Sequence, residues 1–457
     1  MAQRTYYDIT PSQELSFLNR QWTLHKAILN IATSVTVHAS LDRRLLEGAV
    51  RQCILRWDAL GLRFVKQGKV YRQYFGDRGC LYLEHRDFAG AAEQEEFFAK
   101  LASRPMPIVD SPQAGFVIFT TPEGHTGIFS VFSHLVMDSW AISMFYRDVI
   151  EVYWALVNNE PLPKPPRDYE PVLAAELAYQ GSQRFLADKA FWERETAVSQ
   201  PIFTSLKGSS VLAAYRRLTR QPNARQCWVQ HLRTKADHVV LTVSPGDVAA
   251  FQAFLDVNRL PSMQILFVLA LRTYLSRVND REPDVRLRLS IARRATLAEK
   301  NSGGSRVHAI NIRTILAEET TFAEALDVLM DNQNAAFRHS DFGGLEAVTL
   351  VHRFFAEQGS INGTDYADVM FTFQPVPMTV GHGLSCTTNW HCNGSFSLGS
   401  YLTIMDDDGS GGLRCYWERQ VHYLPVEVIR DCHDFMVRAI RAGIERPSIT
   451  LGELMDL

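Results

Sequence analysis

The chain has 457 residues, 46% apolar and 21% charged, with a formal net charge of −3 and a pI near 6.5. This composition is that of an ordinary globular protein, and the length exceeds what one core usually supports, so two lobes are expected. The charge gives no reason to expect nucleic acid or a membrane surface as partner. No uncharged apolar stretch approaches the roughly 20 residues of a membrane span. The seven cysteines are scattered, odd in number and without a C-x-x-C pair; they indicate neither a disulfide framework nor a zinc ribbon. No apolar leader opens the chain, and a reduced cytoplasm is the expected location.

In chain order, the pattern predicts helices over Gln13–Leu24 and Asp42–Trp57. The second has Asp42 as N-cap and an apolar face of Leu45, Leu46, Val50, Cys53 and Ile54. Strands are predicted over Ser34–His38, Ala114–Phe119 and Gly127–Phe132, which are rich in β-branched and aromatic residues. Helices are predicted over Glu93–Leu101 and Met137–Leu156. The run Glu160-Pro-Leu-Pro-Lys-Pro-Pro-Arg167 cannot continue a helix, so the lobe boundary is placed there: 1–165 and 166–457.

The second lobe opens with a polar helical stretch, Pro171–Ala197. Strands follow at Val239–Val243 and Val285–Ile291, with helices at Gly246–Asn258 and Pro261–Val278, the latter low in charge and expected to be buried. A helix at Phe322–Phe337, strands Tyr401–Met405 and Gly412–Trp417 around the Asp406–Gly412 turn, and a helix Pro425–Ile444 close the chain. The alternation implies an α/β fold with mixed sheets.

The most informative segment is Ser133-His-Leu-Val-Met-Asp-Ser-Trp140. It follows an apolar strand and precedes an amphipathic helix. A His at a strand end is held rigidly and can act as a general base near neutral pH. An Asp four residues on can tie the turn to a distant Arg. A serine nucleophile is disfavoured, because adjacent strand residues point to opposite faces and Ser133 is poorly placed for activation by His134.

With its flanks, this segment resembles the H-H-x-x-x-D-G-W core of nonribosomal peptide synthetase condensation domains, in the chloramphenicol-acetyltransferase-like superfamily. His134, Asp138 and Trp140 match; Ser133 stands for the first His and Ser139 for the Gly. Further matches run in the family's order. Thr10-Pro-Ser-Gln13 resembles T-P-x-Q, and Arg56-Trp-Asp-Ala-Leu-Gly-Leu-Arg-Phe64 resembles R-H-E-x-L-R-x-x-F. Tyr169 and Phe191-Trp192 resemble the helix after the core motif. Gly304 to Arg313 resembles G-x-F-V-N-T-x-x-x-R, with His308 at the Asn. His339-Ser-Asp-Phe342 resembles H-Q-D-Y, and Asp368 to Gln374 resembles D-V-x-F-N-Y-Q.

The resemblance implies two acetyltransferase-like lobes in a V-shaped pseudo-dimer, with a tunnel at their junction. It implies His134 as the catalytic residue, acting as base or positioning the nucleophile. It implies Asp138 as structural support, paired with an Arg of the second lobe, either Arg293 or Arg294. Ser133, Ser139 and Trp140 are the candidates for substrate or oxyanion contacts. His308 is read as packing, and His391, Cys386 and Cys392 are too few for zinc.

The implied activity moves an acyl group from the phosphopantetheine arm of a carrier protein to an amine or hydroxyl. The chain itself is expected to bind no cofactor and no metal. Its expected partners are the carrier and a small-molecule or carrier-bound acceptor, without nucleic acid or membrane. A two-lobed pseudo-dimer needs no second copy to complete its site, so a monomer is expected. Free-standing action and excision from a larger synthetase both stay open. The alternatives are an acyl-CoA-dependent acyltransferase of the same superfamily and an inactive docking module.

Overall fold

The computed structural model describes residues 4–227, 233–357 and 366–457. They form two compact units. The first takes in residues up to 185 together with 292–307 and 378–395; the second takes in 186–291, 308–377 and 396–457. The first unit therefore runs past the expected boundary at 165 and recruits two distant segments. The reasons are local. The strand Cys386–His391 pairs along Asn30–Val37, and the residues around Arg294 bind those around Asp138.

The first unit is built on a five-stranded sheet in the order Cys386–His391, Asn30–Val37, Thr126–Ser133, Ala114–Thr120, Leu83–Asp87. All neighbours are antiparallel except the last pair. The central strand Thr126–Ser133 is buried along its whole length. Ile128 and Phe132 face one core, with helices Arg43–Arg56 and Ser139–Asn158. Phe129 and Val131 face another, where Phe98 of helix Ala91–Ala102 stacks on Phe129 at 4.2 Å. This two-sided burial explains why the strand reads as a continuous apolar run. Each buried Phe contributes roughly 1.5–3 kcal/mol. Gly127 is required here, because a Cβ would come within 2.3 Å of the Phe119 ring. A small sheet of Tyr7–Asp8, Val70–Phe75 and Leu62–Gln67 completes the unit.

The second unit holds a six-stranded mixed sheet: Val307–Ile315, Asp284–Ala292, Val369–Phe373, Ser400–Asp406, Leu413–Gln420, Ala236–Val243. Helix Gln264–Val278 is buried from Ile265 to Ser276, as its low charge predicts. Its one buried cation, Arg272, donates to the carbonyls of Pro283 (2.6 Å) and Leu316 (3.2 Å). Helix Val426–Glu445 belongs to the same core.

The polar stretch 171–197 is two helices, Glu170–Tyr179 and Gln183–Ala197, interrupted around Gly181 and Ser182. Among the described residues no helix is long and apolar enough to cross a membrane, and no cluster of three metal-ligating side chains occurs. None of the seven cysteines is in a disulfide.

Candidate functional site

The strand Thr126–Ser133 delivers His134 as the first residue of a tight turn. The turn is held by backbone bonds from Val136 and Met137 N–H to the Ser133 carbonyl (3.0 and 3.2 Å), and from His134 N–H to Leu29 O (2.7 Å). The Thr10-Pro-Ser-Gln segment supports it from below. Thr10 caps helix Pro11–Trp22 in a reciprocal capping box with Gln13. The Gln13 amide then donates to Leu135 O at 2.9 Å. One polar motif thus starts a helix and fixes the carbonyl next to His134.

The His134 ring is half-buried, with Nδ1 3.0 Å from Ser305 Oγ. Enclosure by protein pushes its pKa below the ordinary value, only partly offset by its own backbone and by the charge of Asp138. The imidazole is therefore neutral at pH near 7 and able to take up a proton.

Asp138 is buried and caps helix Ser139–Asn158 through Oδ1, which accepts Ala141 N–H at 2.9 Å. Its Oδ2 accepts Arg294 Nη2 at 2.9 Å and the Arg306 backbone N–H at 3.0 Å. Arg294, not Arg293, is thus the partner. Arg294 further donates to the carbonyls of Ser302 (2.9 Å) and Gly304 (2.8 Å). The expectation that this Arg comes from the second lobe is corrected, because residues 292–307 belong to the first unit.

Arg293 instead pairs with Glu176 at 2.5 Å, and Arg306 binds Glu176 and Glu299, each at 2.8 Å. Arg293, Arg306 and Glu176 are buried, and each has a partner of opposite charge. A bridge between Met137 and Gly304 joins the two segments. Gly304 has φ of +85°, and a Cβ there would lie 2.1 Å from the Tyr169 ring, so only glycine fits.

The remaining candidates make contacts of their own. Ser133 is buried, and its Oγ accepts Leu135 N–H at 3.3 Å. Ser139 is the first residue of the helix, and its carbonyl accepts the Ser143 hydroxyl at 3.0 Å. The Trp140 indole donates to Lys300 O at 2.9 Å. His308 is buried, with Nδ1 3.0 Å from Ser340 O, and Gly343 packs closely on its ring.

Three residues at this site are not among the sequence candidates: Ser305 and Arg306, inside the Gly304 to Arg313 motif, and Glu176. Ser305 carries no signal, being one small polar residue in a strand-like run. Arg306 does carry one. It stands at the apolar position of its motif, and a buried guanidinium needs acceptors, a carboxylate being among the strongest. Glu176, alone between Ala175 and Leu177 on a short helix, is that carboxylate.

The other motifs are structural. Asp58 accepts the N–H groups of Tyr169 (2.7 Å) and Glu170 (3.1 Å), opening helix Glu170–Tyr179. His339 stacks on Phe191 at 4.1 Å and bonds Asp188 at 2.7 Å, and Trp192 donates to the His339 carbonyl. Asp368, buried, accepts hydrogen bonds from Ser205 (2.5 Å) and Tyr423 (2.6 Å).

A plipastatin synthase of Bacillus subtilis (strain 168) is 20% identical over 458 aligned residues, covering 99% of this chain. The chain spans 17% of that synthase polypeptide's length. Among solved structures, the first condensation domain of the calcium-dependent antibiotic synthetase, in complex with a substrate analogue, superposes with a TM-score of 0.81 at 18% identity, covering 99% of this chain and 98% of that one. A variant of the starter condensation domain of rhizomide synthetase, in complex with C8-CoA, gives 0.81 at 17% identity, covering 98% and 97%. At such identities the likeness is one of fold. The condensation-domain family model matches residues 3–396, and the chain belongs to the condensation-domain family.

Proposed function

We propose that the chain is an acyltransferase of the condensation type, taking its acyl group from a carrier-protein phosphopantetheine thioester and passing it to an amine or hydroxyl. The observation that carries this reading is His134: a neutral imidazole at a strand end, its Nδ1 fixed by Ser305, its turn fixed by Asp138 and Gln13. In the tautomer whose Nδ1–H donates to Ser305 Oγ, Nε2 is the atom that accepts a proton. The acceptor's N–H or O–H gives its proton to Nε2 as the nucleophile bonds to the thioester carbonyl carbon. The C–S bond then breaks, and the departing thiolate takes the proton. The thioester is already activated, so positioning and one base suffice.

A monomer acting in the cytoplasm is part of this reading. The family alone does not make this chain active, and Ser133 and Ser139 depart from the family core. The test is to incubate the protein with carriers bearing a panel of acyl groups and with amine and alcohol acceptors, following the intact mass of the carrier. Loss of acyl mass with matching product supports the reading; acyl loss that persists unchanged in His134→Ala contradicts it.

A second donor is favoured by one observation. The rhizomide starter domain with the same fold was solved in complex with C8-CoA. Turnover with acyl-CoA and none with any acyl-carrier would assign the donor to coenzyme A.

A further inference from the structure

Between Glu195 and Asp237 the chain carries seven Lys or Arg and no Asp or Glu, in a protein whose overall charge is −3. Most of this stretch is described, and it centres on helix Ser210–Thr219 in the second unit. The helix buries Leu212 against Phe203 and Cys227, with Val211 and Tyr215 packed beside them. Its outward face carries Ala213, Ala214, Arg217 and Leu218, which share one side at i, i+4 spacing. Leu218 is 85% exposed. Arg220 follows in the left-handed cap, φ 56°, and is also exposed. Among the described residues neither Arg217 nor Arg220 has a carboxylate within ion-pair distance. Elsewhere on this protein exposed arginines are repeatedly paired, as Arg43 is with Asp87 and Arg446 with Glu453.

An exposed leucine between unpaired arginines, on a face that two alanines keep low, has the anatomy of a protein interface: an apolar centre and a charged rim. An unpaired basic rim selects an acidic partner and speeds its encounter. We infer that the outer face of helix Ser210–Thr219 is a docking surface for an acidic carrier protein. The inference rests on the proposed carrier dependence and adds where the carrier sits. Leu218 is the apolar anchor, and Arg217 and Arg220 pair with carboxylates of the carrier.

The test is equilibrium binding of purified holo carrier proteins to the full chain at low and high salt, which needs no turnover. Wild-type protein binds, more weakly as salt rises. In Arg217→Glu/Arg220→Glu, Kd rises about tenfold or more and the salt dependence falls; Leu218→Ser raises Kd as well, and Arg217→Lys/Arg220→Lys restores most of the affinity. Transfer from a small acyl-N-acetylcysteamine thioester stays at the wild-type rate in all three variants, which also reports that they fold. The inference is overturned if the charge reversal binds carriers as wild type does, if wild type binds none, or if the patch instead binds phosphatidylglycerol vesicles. Failure of the catalytic reading looks different, because carrier binding then remains sensitive to Arg217 and Arg220 while His134→Ala leaves transfer unchanged.

Discussion

Arg294 Nη2 lies 2.9 Å from Asp138 Oδ2, with the two side chains 2% and 0% exposed and 156 residues apart in sequence. This pair closes the turn that carries His134. Because Asp138 also caps the following helix and Arg294 also holds the carbonyls of residues 302 and 304, neither can leave without stranding buried polar groups. Arg294→Ala and Asp138→Ala are each expected to destabilise the fold by about 3–5 kcal/mol, read from denaturant unfolding. Arg294→Lys rescues little, since an ammonium cannot reproduce the guanidinium fork.

Gly304 is expected to tolerate no side chain. A Cβ would press on the Tyr169 ring in a left-handed backbone, so Gly304→Ala costs roughly 1–3 kcal/mol. Gly90, where a Cβ would meet nothing within 4 Å, is the control. Thermal unfolding of both variants checks this.

Much of the site was legible in the sequence because its turn is local. Strand, His134, Asp138 and helix follow one another directly along the chain, and the apolar runs on either side set the period. The identity of the partner arginine was not legible, since Arg293 and Arg294 are adjacent and only the path of the chain decides which reaches Asp138. Nor was the strand Cys386–His391 read as one. Its Thr-Thr-Asn-Trp sequence is half-buried and polar, and it becomes a strand by pairing with Asn30–Val37. The small strands Leu62–Gln67 and Val70–Phe75 were missed as well, because they are short and partly exposed. The boundary near 165 rests on a true helix breaker, but a proline run cannot show that residues 292–307 and 378–395 return to the first unit.

The Ser305 hydroxyl is expected to act by positioning. Ser305→Ala frees Nδ1 of His134 and lowers kcat/KM for transfer by roughly 10- to 100-fold, with a displaced acid limb in the pH profile. Ser305→Thr, which keeps the hydroxyl, recovers part of the rate. A purely structural role would leave the pH profile in place.

Enclosure holds the His134 pKa below its ordinary value. If His134 is the base proposed above, it works from neutral pH down to that lowered pKa, and transfer is expected to lose rate only below about pH 6.5. Stability follows the same sign. The unfolded chain binds a proton here at a pH where the folded chain does not, so stability falls as pH drops below the unfolded value. Burial lowers His238 and His433 in the same way, so His134→Gln removes only part of this acid sensitivity in denaturant titrations on either side of about pH 6.5.

The most direct measurement is single-turnover acyl transfer from a loaded carrier, followed by intact mass, in wild type and His134→Ala with matched unfolding curves. His134→Ala is expected to fold as wild type does and to lose about 10²- to 10⁴-fold in rate. Equal rates in the two proteins would contradict this expectation.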